Sequence, residues 1–261
     1  MKTFVIAEVG VNHRGNWKAG LALIDAAKAS GADAVKFQMF NSQRLWGDDR
    51  IKHLEFGENE ILMMHTYCQE VGIEFMCTPF GVEEVKLLTP LVHRWKIASG
   101  CLTKWDLLYA IRETGIPAIL STGMADMLNI KYALNILTYD RLQNRRRATL
   151  LHCTSAYPCP INEANLSAMD TLRASFGESV GYSDHTDGIL VALAAVARGA
   201  TVLEKHLTLD RNADGPDHKA SIEPGDFKLM VEQIREIEKA IGKPEKQPQP
   251  SEALTIKAWY G

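Results

Sequence analysis

The sequence predicts a single α/β domain closed as a (β/α)₈, or TIM, barrel, and three observations lead to that expectation. Eight short apolar or β-branched runs alternate with helical patterns along the 261 residues, and eight such strand-then-helix units favour a closed parallel sheet ringed by helices. Gly31, Gly72, Gly115 and Gly199 stand between a helical pattern and the next strand, where a left-handed cap is needed. A hydrophobic content of 46% over this length supports one large core.

The strand runs are Phe4–Glu8, Asp33–Gln38, Glu74–Thr78, Arg94–Ala98, Pro117–Ser121, Thr149–Cys153, Ser179–Ser183 and Thr201–His206. Apolar residues at i, i+3 and i+4 spacing predict helices over Trp17–Ser30, Glu58–Val71, Val82–Leu88, Lys104–Glu113, Met127–Leu137, Leu166–Phe176, Ile189–Arg198 and Asp226–Ile241. Residues 1–243 are therefore expected to form the barrel. The composition shifts in KPEKQPQPSEALTIKAWYG, so residues 244–261 read as a linker-like tail or extended arm.

Several function classes are disfavoured. A net charge of −3 and a pI near 6.3 provide no general basic field for nucleic acid or an anionic membrane. Arg145–Arg146–Arg147 has no interleaved aromatics and reads as a solvated loop. No apolar run is long enough to span a bilayer, and MKTFVIAEVG lacks the pattern of a signal peptide. The five cysteines, Cys68, Cys77, Cys101, Cys153 and Cys159, form no C-x-x-C pair, which argues against a disulfide framework or thiolate zinc site and points to a cytoplasmic location.

In such a barrel the chemistry sits where the strands end. Those ends carry Glu8, Lys36 with Gln38, Thr78, Lys96 with Ser99, Ser121 with Thr122, His152 with Thr154, Ser183 with His185, and His206. Period-two alternation puts Lys36 with Gln38, Ser183 with His185, and Glu204 with His206 on shared strand faces. Lys36 and Lys96 lie among apolar neighbours, where an unpaired ammonium loses its hydration. Two arrangements compensate for that loss. An anion carrying phosphate and carboxylate could be held with hydroxyls of Ser99, Ser121, Thr122 and Ser183, or the lysines could pair with Glu8 or Glu204.

His185 and His206 end neighbouring strands and could hold one divalent metal with open positions, or could simply be two hydrogen-bonded histidines. Asp217 and His218, in DRNADGPDHKAS, offer either a carboxylate for sugar hydroxyls or a solvated Gly-Pro turn. Glu8 is a candidate acid or base, while Asn12 and His13 are read as shaping the turn that follows it.

The strings IAEVGVNHRG, GADAVKFQ, CTPF, WKIASG, ILSTGM, LLHCTSAYPCP, VGYSDHT and EKHLTLDRNADGPDHKAS occur in that order. Between about Phe4 and Gly242 the chain thereby resembles the catalytic barrel of the N-acetylneuraminate (sialic acid) synthase family, which includes legionaminate, pseudaminate and spore-coat polysaccharide synthases. The resemblance implies condensation of phosphoenolpyruvate with an N-acylated amino sugar, such as N-acetylmannosamine, to give a nonulosonate and phosphate. It implies that Lys36, Lys96, Ser99, Ser121 and Ser183 hold phosphoenolpyruvate with Thr78 close by, and that Tyr157 and Asp217 contact the sugar. His185 and His206 would bind Mn²⁺, with Mg²⁺ or Co²⁺ as alternatives, and Glu8 would assist the chemistry.

Family members usually continue, after a linker, into a small C-terminal domain resembling antifreeze proteins. The resemblance here covers the barrel and QPSE, which looks like the start of that linker. It implies a homodimer and a separately encoded cap domain as a candidate partner. Ser155 stands where many relatives carry Asn, removing an amide from the pocket. Two other readings stay open: a related phosphoenolpyruvate–aldose condensing enzyme, and a non-catalytic sugar-binding barrel.

Overall fold

The computed structural model describes residues 2–138 and 148–261. Its strands are β1 (Phe4–Gly10), β2 (Ala34–Met39), β3 (Glu74–Pro79), β4 (Trp95–Ile97), β5 (Ala118–Ser121), β6 (Ala148–His152), β7 (Ser179–Asp184) and β8 (Val202–His206). Parallel ladders join them in the order β3-β2-β1-β8-β7-β6-β5-β4. The terminal strands of that order, β3 and β4, lie side by side, so the sheet curls round into the expected (β/α)₈ barrel.

Around it run α1 (Trp17–Ala29), α2 (Ser42–Trp46), α3 (Glu58–Val71), α4 (Val82–Leu88), α5 (Trp105–Glu113), α6 (Met127–Thr138), α7 (Ala168–Phe176), α8 (Leu190–Ala197), α9 (Pro224–Ile241) and α10 (Ala253–Tyr260). Gly31, Gly72, Gly115 and Gly199 all have positive φ, as their places between helix and strand require. Among the described residues no helix is long and apolar enough to cross a membrane. The run Arg145–Arg147 lies outside the described residues.

Two helices add to the expected eight. α2 is a single short turn whose start is capped by the Asn41 side chain, which accepts from the Arg44 N–H at 3.0 Å. So short a piece carries no apolar period to announce it. The tail is not wholly extended either. Pro250 opens a turn, the Glu252 carboxylate accepts from the Gln249 N–H at 2.5 Å, and α10 follows with Leu254, Trp259 and Tyr260 in solvent.

Strand alternation sorts the side chains into two cores. Val5, Ala7, Val35, Phe37, Phe75, Trp95, Leu120, Leu150, Tyr182 and Leu203 face the helices in one large cluster. Ile6, Ala34, Met76, Ile119, Leu151 and Val202 form a second cluster inside the barrel, each full burial of such a side chain contributing roughly 1.5–3 kcal/mol. Two positions further along, the same inward face carries Glu8, Lys36, Thr78, Ser121, Cys153 and Glu204. The apolar layer thus floors the barrel, and the next layer is polar. Gly181 belongs to the floor: a Cβ there would come within 2.3 Å of the Val202 carbonyl oxygen and 2.6 Å of Leu151, so β7 approaches β8 closely only because that side chain is missing.

Candidate functional site

Above the apolar floor four buried charges meet. Lys36 Nζ lies 2.7 Å from Glu8 Oε2 and 3.5 Å from Glu204 Oε2, and it donates to Thr78 Oγ1 at 3.2 Å. Lys96 Nζ is 3.4 Å from Glu204 Oε1. Ser183 Oγ donates to the same Glu204 oxygen at 3.0 Å, and Gln38 Nε2 donates to Glu8 Oε1 at 2.9 Å. Of the two arrangements open for the lysines, the structure shows pairing, Lys36 with Glu8 and Glu204 and Lys96 with Glu204. Glu204 is shared between two ammonium groups, so one carboxylate serves both.

The electrostatics of the four groups are unequal. Burial raises the Glu8 carboxyl to about 7, the nearby Lys36 ammonium only partly opposing it. Burial would also raise Glu204, but Lys36 and Lys96 together hold it low. Burial would lower Lys36, but Glu204 and Glu8 keep it above its ordinary value. Lys96 stays below its ordinary value, because burial outweighs the attraction of Glu204 and Lys36 adds repulsion. Its charge, like that of Glu8, is under-compensated.

His185 and His206, from adjoining strand ends, have ring centroids 5.6 Å apart. His185 Nδ1 is 2.7 Å from the Thr154 carbonyl oxygen, which can only accept, so Nδ1 carries the proton. Ser183 spends its hydroxyl proton on Glu204, leaving the lone pair on His185 Nε2 unused at 3.4 Å. His206 Nδ1 is buried without a hydrogen-bond partner, and Asp217 Oδ2 is 3.8 Å away. Burial holds both imidazoles near a pKa of about 4, so they are neutral at pH 7. Two unprotonated ring nitrogens with an adjacent carboxylate are a donor set suited to a divalent ion. Among the described residues no cluster of three or more His, Cys, Asp or Glu is arranged as a ligand set.

Tyr157 lies against this pair, its ring tilted toward His185 at a centroid distance of 4.2 Å and edge-on to His206 at 5.8 Å. Asp217 turns inward, while Gly215 and Pro216 just before it stay exposed. Asn12 explains the path: its amide donates to the Leu207 carbonyl oxygen and to Ser221 Oγ, both at 2.9 Å, and Ser221 Oγ donates to the Asp217 carbonyl oxygen at 2.7 Å. Gly10, at φ +55°, clears the way, since a Cβ there would lie 2.7 Å from Asp217 Oδ2. His13 stacks on Phe56 at 3.6 Å and serves the turn, as expected.

The hydroxyls divide. Ser121 Oγ is buried with no partner. Ser99 Oγ accepts from the Gly123 N–H at 3.1 Å and touches Cys153 Sγ at 3.3 Å. Thr122 is a correction: its hydroxyl donates to the Leu151 carbonyl oxygen at 3.0 Å, so it ties β5 to β6 instead of facing a ligand. Glu204 and Gln38 join the site through Ser183, Lys36, Lys96 and Glu8, beyond the residues expected to hold ligands. Their period-two partnership with His206 and Lys36 was the available signal.

His13, His185 and His206 share one consequence. Each is held near a pKa of about 4 by burial, against 6.5 unperturbed. Their contribution to stability is full above pH 6.5 and is lost as pH falls toward 4. Glu8 acts oppositely, its contribution being full below 4.5 and lost as pH rises through about 7, but three groups outweigh one. Thermal denaturation should show a Tm at least ~5 °C lower at pH 5 than at pH 7, and an equal or higher Tm at pH 5 would contradict the neutral burial of these rings.

Comparison with known proteins places this barrel. A sequence profile of the NeuB family matches residues 23–246. The chain belongs to that family. It is 42% identical to N,N'-diacetyllegionaminic acid synthase of Campylobacter jejuni, over 98% of this chain and 82% of that protein. It is 35% identical to N-acetylneuraminate-9-phosphate synthase of Mus musculus, over 95% and 74% of the respective chains. The crystal structure of N-acetylneuraminic acid (sialic acid) synthetase of Leptospira borgpetersenii, in complex with citrate, superposes with a TM-score of 0.92 at 37% identity, covering 99% of this chain and 91% of that one. These relatives are named for different sugar acids, so membership of the NeuB family does not by itself choose an acceptor.

Proposed function

We propose that this NeuB-family chain condenses phosphoenolpyruvate with the open-chain form of an N-acylated amino sugar, releasing phosphate and a sialic-acid-type nonulosonate. One observation carries the reading: an under-compensated buried ammonium, Lys96, shares Glu204 with Lys36 on one side of the barrel mouth, while two neutral imidazoles lie beside Ser183 on the other. The first half suits a small ligand with phosphate and carboxylate groups, and the second suits a divalent ion, Mn²⁺ in this reading.

Lys36, Lys96 and the hydroxyls of Ser99, Ser121 and Ser183 hold phosphoenolpyruvate, with Thr78 orienting Lys36. Tyr157 and Asp217 take the sugar. His185 and His206 would hold a divalent ion, which when bound would supply Lewis-acid polarisation of a carbonyl. With the two carbons aligned, C3 of phosphoenolpyruvate forms the new bond to the aldehyde carbon, and positive charge develops at C2. Glu8, raised to about 7, accepts the proton of the water that adds at C2. The C–O bond to phosphate then breaks as the C2 carbonyl forms, and the two protons of the added water end on the former aldehyde oxygen, now a hydroxyl, and on the departing phosphate. Lys36 and Lys96 stabilise the charge on the departing phosphate.

Assay of phosphate release from phosphoenolpyruvate with Mn²⁺, across N-acetylmannosamine and other N-acylated sugars, tests the proposal. Sugar-dependent release is expected. Release that ignores the sugar, or none together with no calorimetric binding of phosphoenolpyruvate, would overturn it. The charge balance adds a second test. An anion arriving beside Lys36 raises Glu8 further, so binding near pH 7 takes up as much as about half a proton and weakens as pH rises above about 7. Calorimetry in HEPES and in Tris, whose ionisation heats differ, reads the uptake, and proton release would refute this role for Glu8.

A further inference from the structure

Within the described strands the charged residues on the helix-facing side are Asp184 and Lys205, paired across β7 and β8 and completely buried. Lys205 Nζ donates to Asp184 Oδ2 at 2.9 Å and to the Thr186 carbonyl oxygen at 2.5 Å. Asp184 Oδ1 accepts from the Thr186 N–H at 3.0 Å and from Thr186 Oγ1 at 2.8 Å. The two side chains thus grip residues 184 and 186, one on each side of His185, while Lys205 itself precedes His206. The grip extends further: the His185 carbonyl oxygen accepts from the Cys159 N–H at 2.8 Å, and Cys159 bridges to Thr186. That strand of contacts brings the Tyr157 loop over the His185 ring.

Stability alone is a poor account of this pair. Burying two charges costs several kcal/mol each, and apolar side chains of similar volume commonly stabilise as well or better. What an apolar pair cannot do is hold the backbone at 186 by directed hydrogen bonds. We infer that Lys205, Asp184 and Thr186 are positioning residues that set how His185 and His206 face each other, acting from behind the sheet. The inference rests on the reading of those imidazoles as a metal-binding pair.

The test uses the full chain and the variants Lys205→Met, Asp184→Leu and their combination. Each single change strands one buried charge, so loss of Tm is expected. The double change strands none, so its Tm should return toward the parent value. Its Mn²⁺ affinity by calorimetry should nevertheless stay ~10-fold or more below the parent, with the ¹⁵N resonances of His185 shifted in histidine-labelled protein. A stable double variant with parental Mn²⁺ affinity and unchanged imidazole resonances would reduce the pair to a structural one. If the double variant does not fold, Thr186→Val removes one hydroxyl donor and leaves both charges. A ~3-fold loss of affinity with shifted His185 resonances is then expected, and no change in either overturns the inference. Parent protein that binds no Mn²⁺ refutes the metal reading itself, and the imidazole resonances alone then decide positioning.

Discussion

Replacing His206 with alanine is expected to eliminate measurable Mn²⁺ binding and to lower sugar-dependent phosphate release by ~10³-fold or more, beyond the 10–100-fold typical of groups that only support a ligand. The expectation follows from its position. His206 brings a neutral ring nitrogen without a hydrogen-bond partner to a point 3.8 Å from Asp217, beneath Tyr157 and beside His185. Without it, His185 and Asp217 are left as the remaining donors. The fold should survive, because the lost ring makes no hydrogen bond through Nδ1 and leaves a cavity costing ~1–3 kcal/mol. Circular dichroism and a thermal melt control for this. Near-parental turnover in a well-folded His206→Ala protein would sink the proposed chemistry.

Replacing Lys36 with methionine should damage both stability and binding. Methionine fills most of the volume but removes the ammonium that lies 2.7 Å from Glu8 and 3.5 Å from Glu204. Two fully buried carboxylates are left with Lys96 alone, and breaking such an interior ion pair costs ~3–5 kcal/mol, or a fall in Tm of ~10 °C for a chain of this size. Phosphoenolpyruvate affinity should drop by ~100-fold, about two charge-assisted hydrogen bonds. Lys36→Met combined with Glu8→Gln separates the two effects. Removing the orphaned carboxylate should restore most of the Tm, while binding and turnover stay low. Recovery of binding together with stability would show that Lys36 serves only to neutralise Glu8.

The barrel was legible because its strands obey a simple alternation. Ile6 and Glu8, Ala34 and Lys36, Met76 and Thr78, Ile119 and Ser121, and Val202 and Glu204 are each two residues apart on an inward face, so the apolar floor and the polar layer above it could be read directly from spacing. His185 and His206 were legible for the same reason. Asp184 and Lys205 were not: alternation turns them away from the inward polar set, and the partner that compensates each lies 21 residues away. Thr122 looked like a ligand donor because a hydroxyl at a strand end is free in sequence, yet the Leu151 carbonyl oxygen captures it.

The amino-acid sequence by itself determined the eight-fold alternation, the inward set of charges and hydroxyls, and the glycines at the turns, because each depends on local backbone geometry and side-chain period. Tertiary structure alone decided that Lys36 bridges Glu8 and Glu204, that the Asp217 loop bends over His206, and that Asp184 and Lys205 meet behind the histidines. These choices depend on which distant groups share a low-dielectric space. There, a charge keeps its ionised form only by finding a partner, and no local pattern of residues encodes which partner that will be.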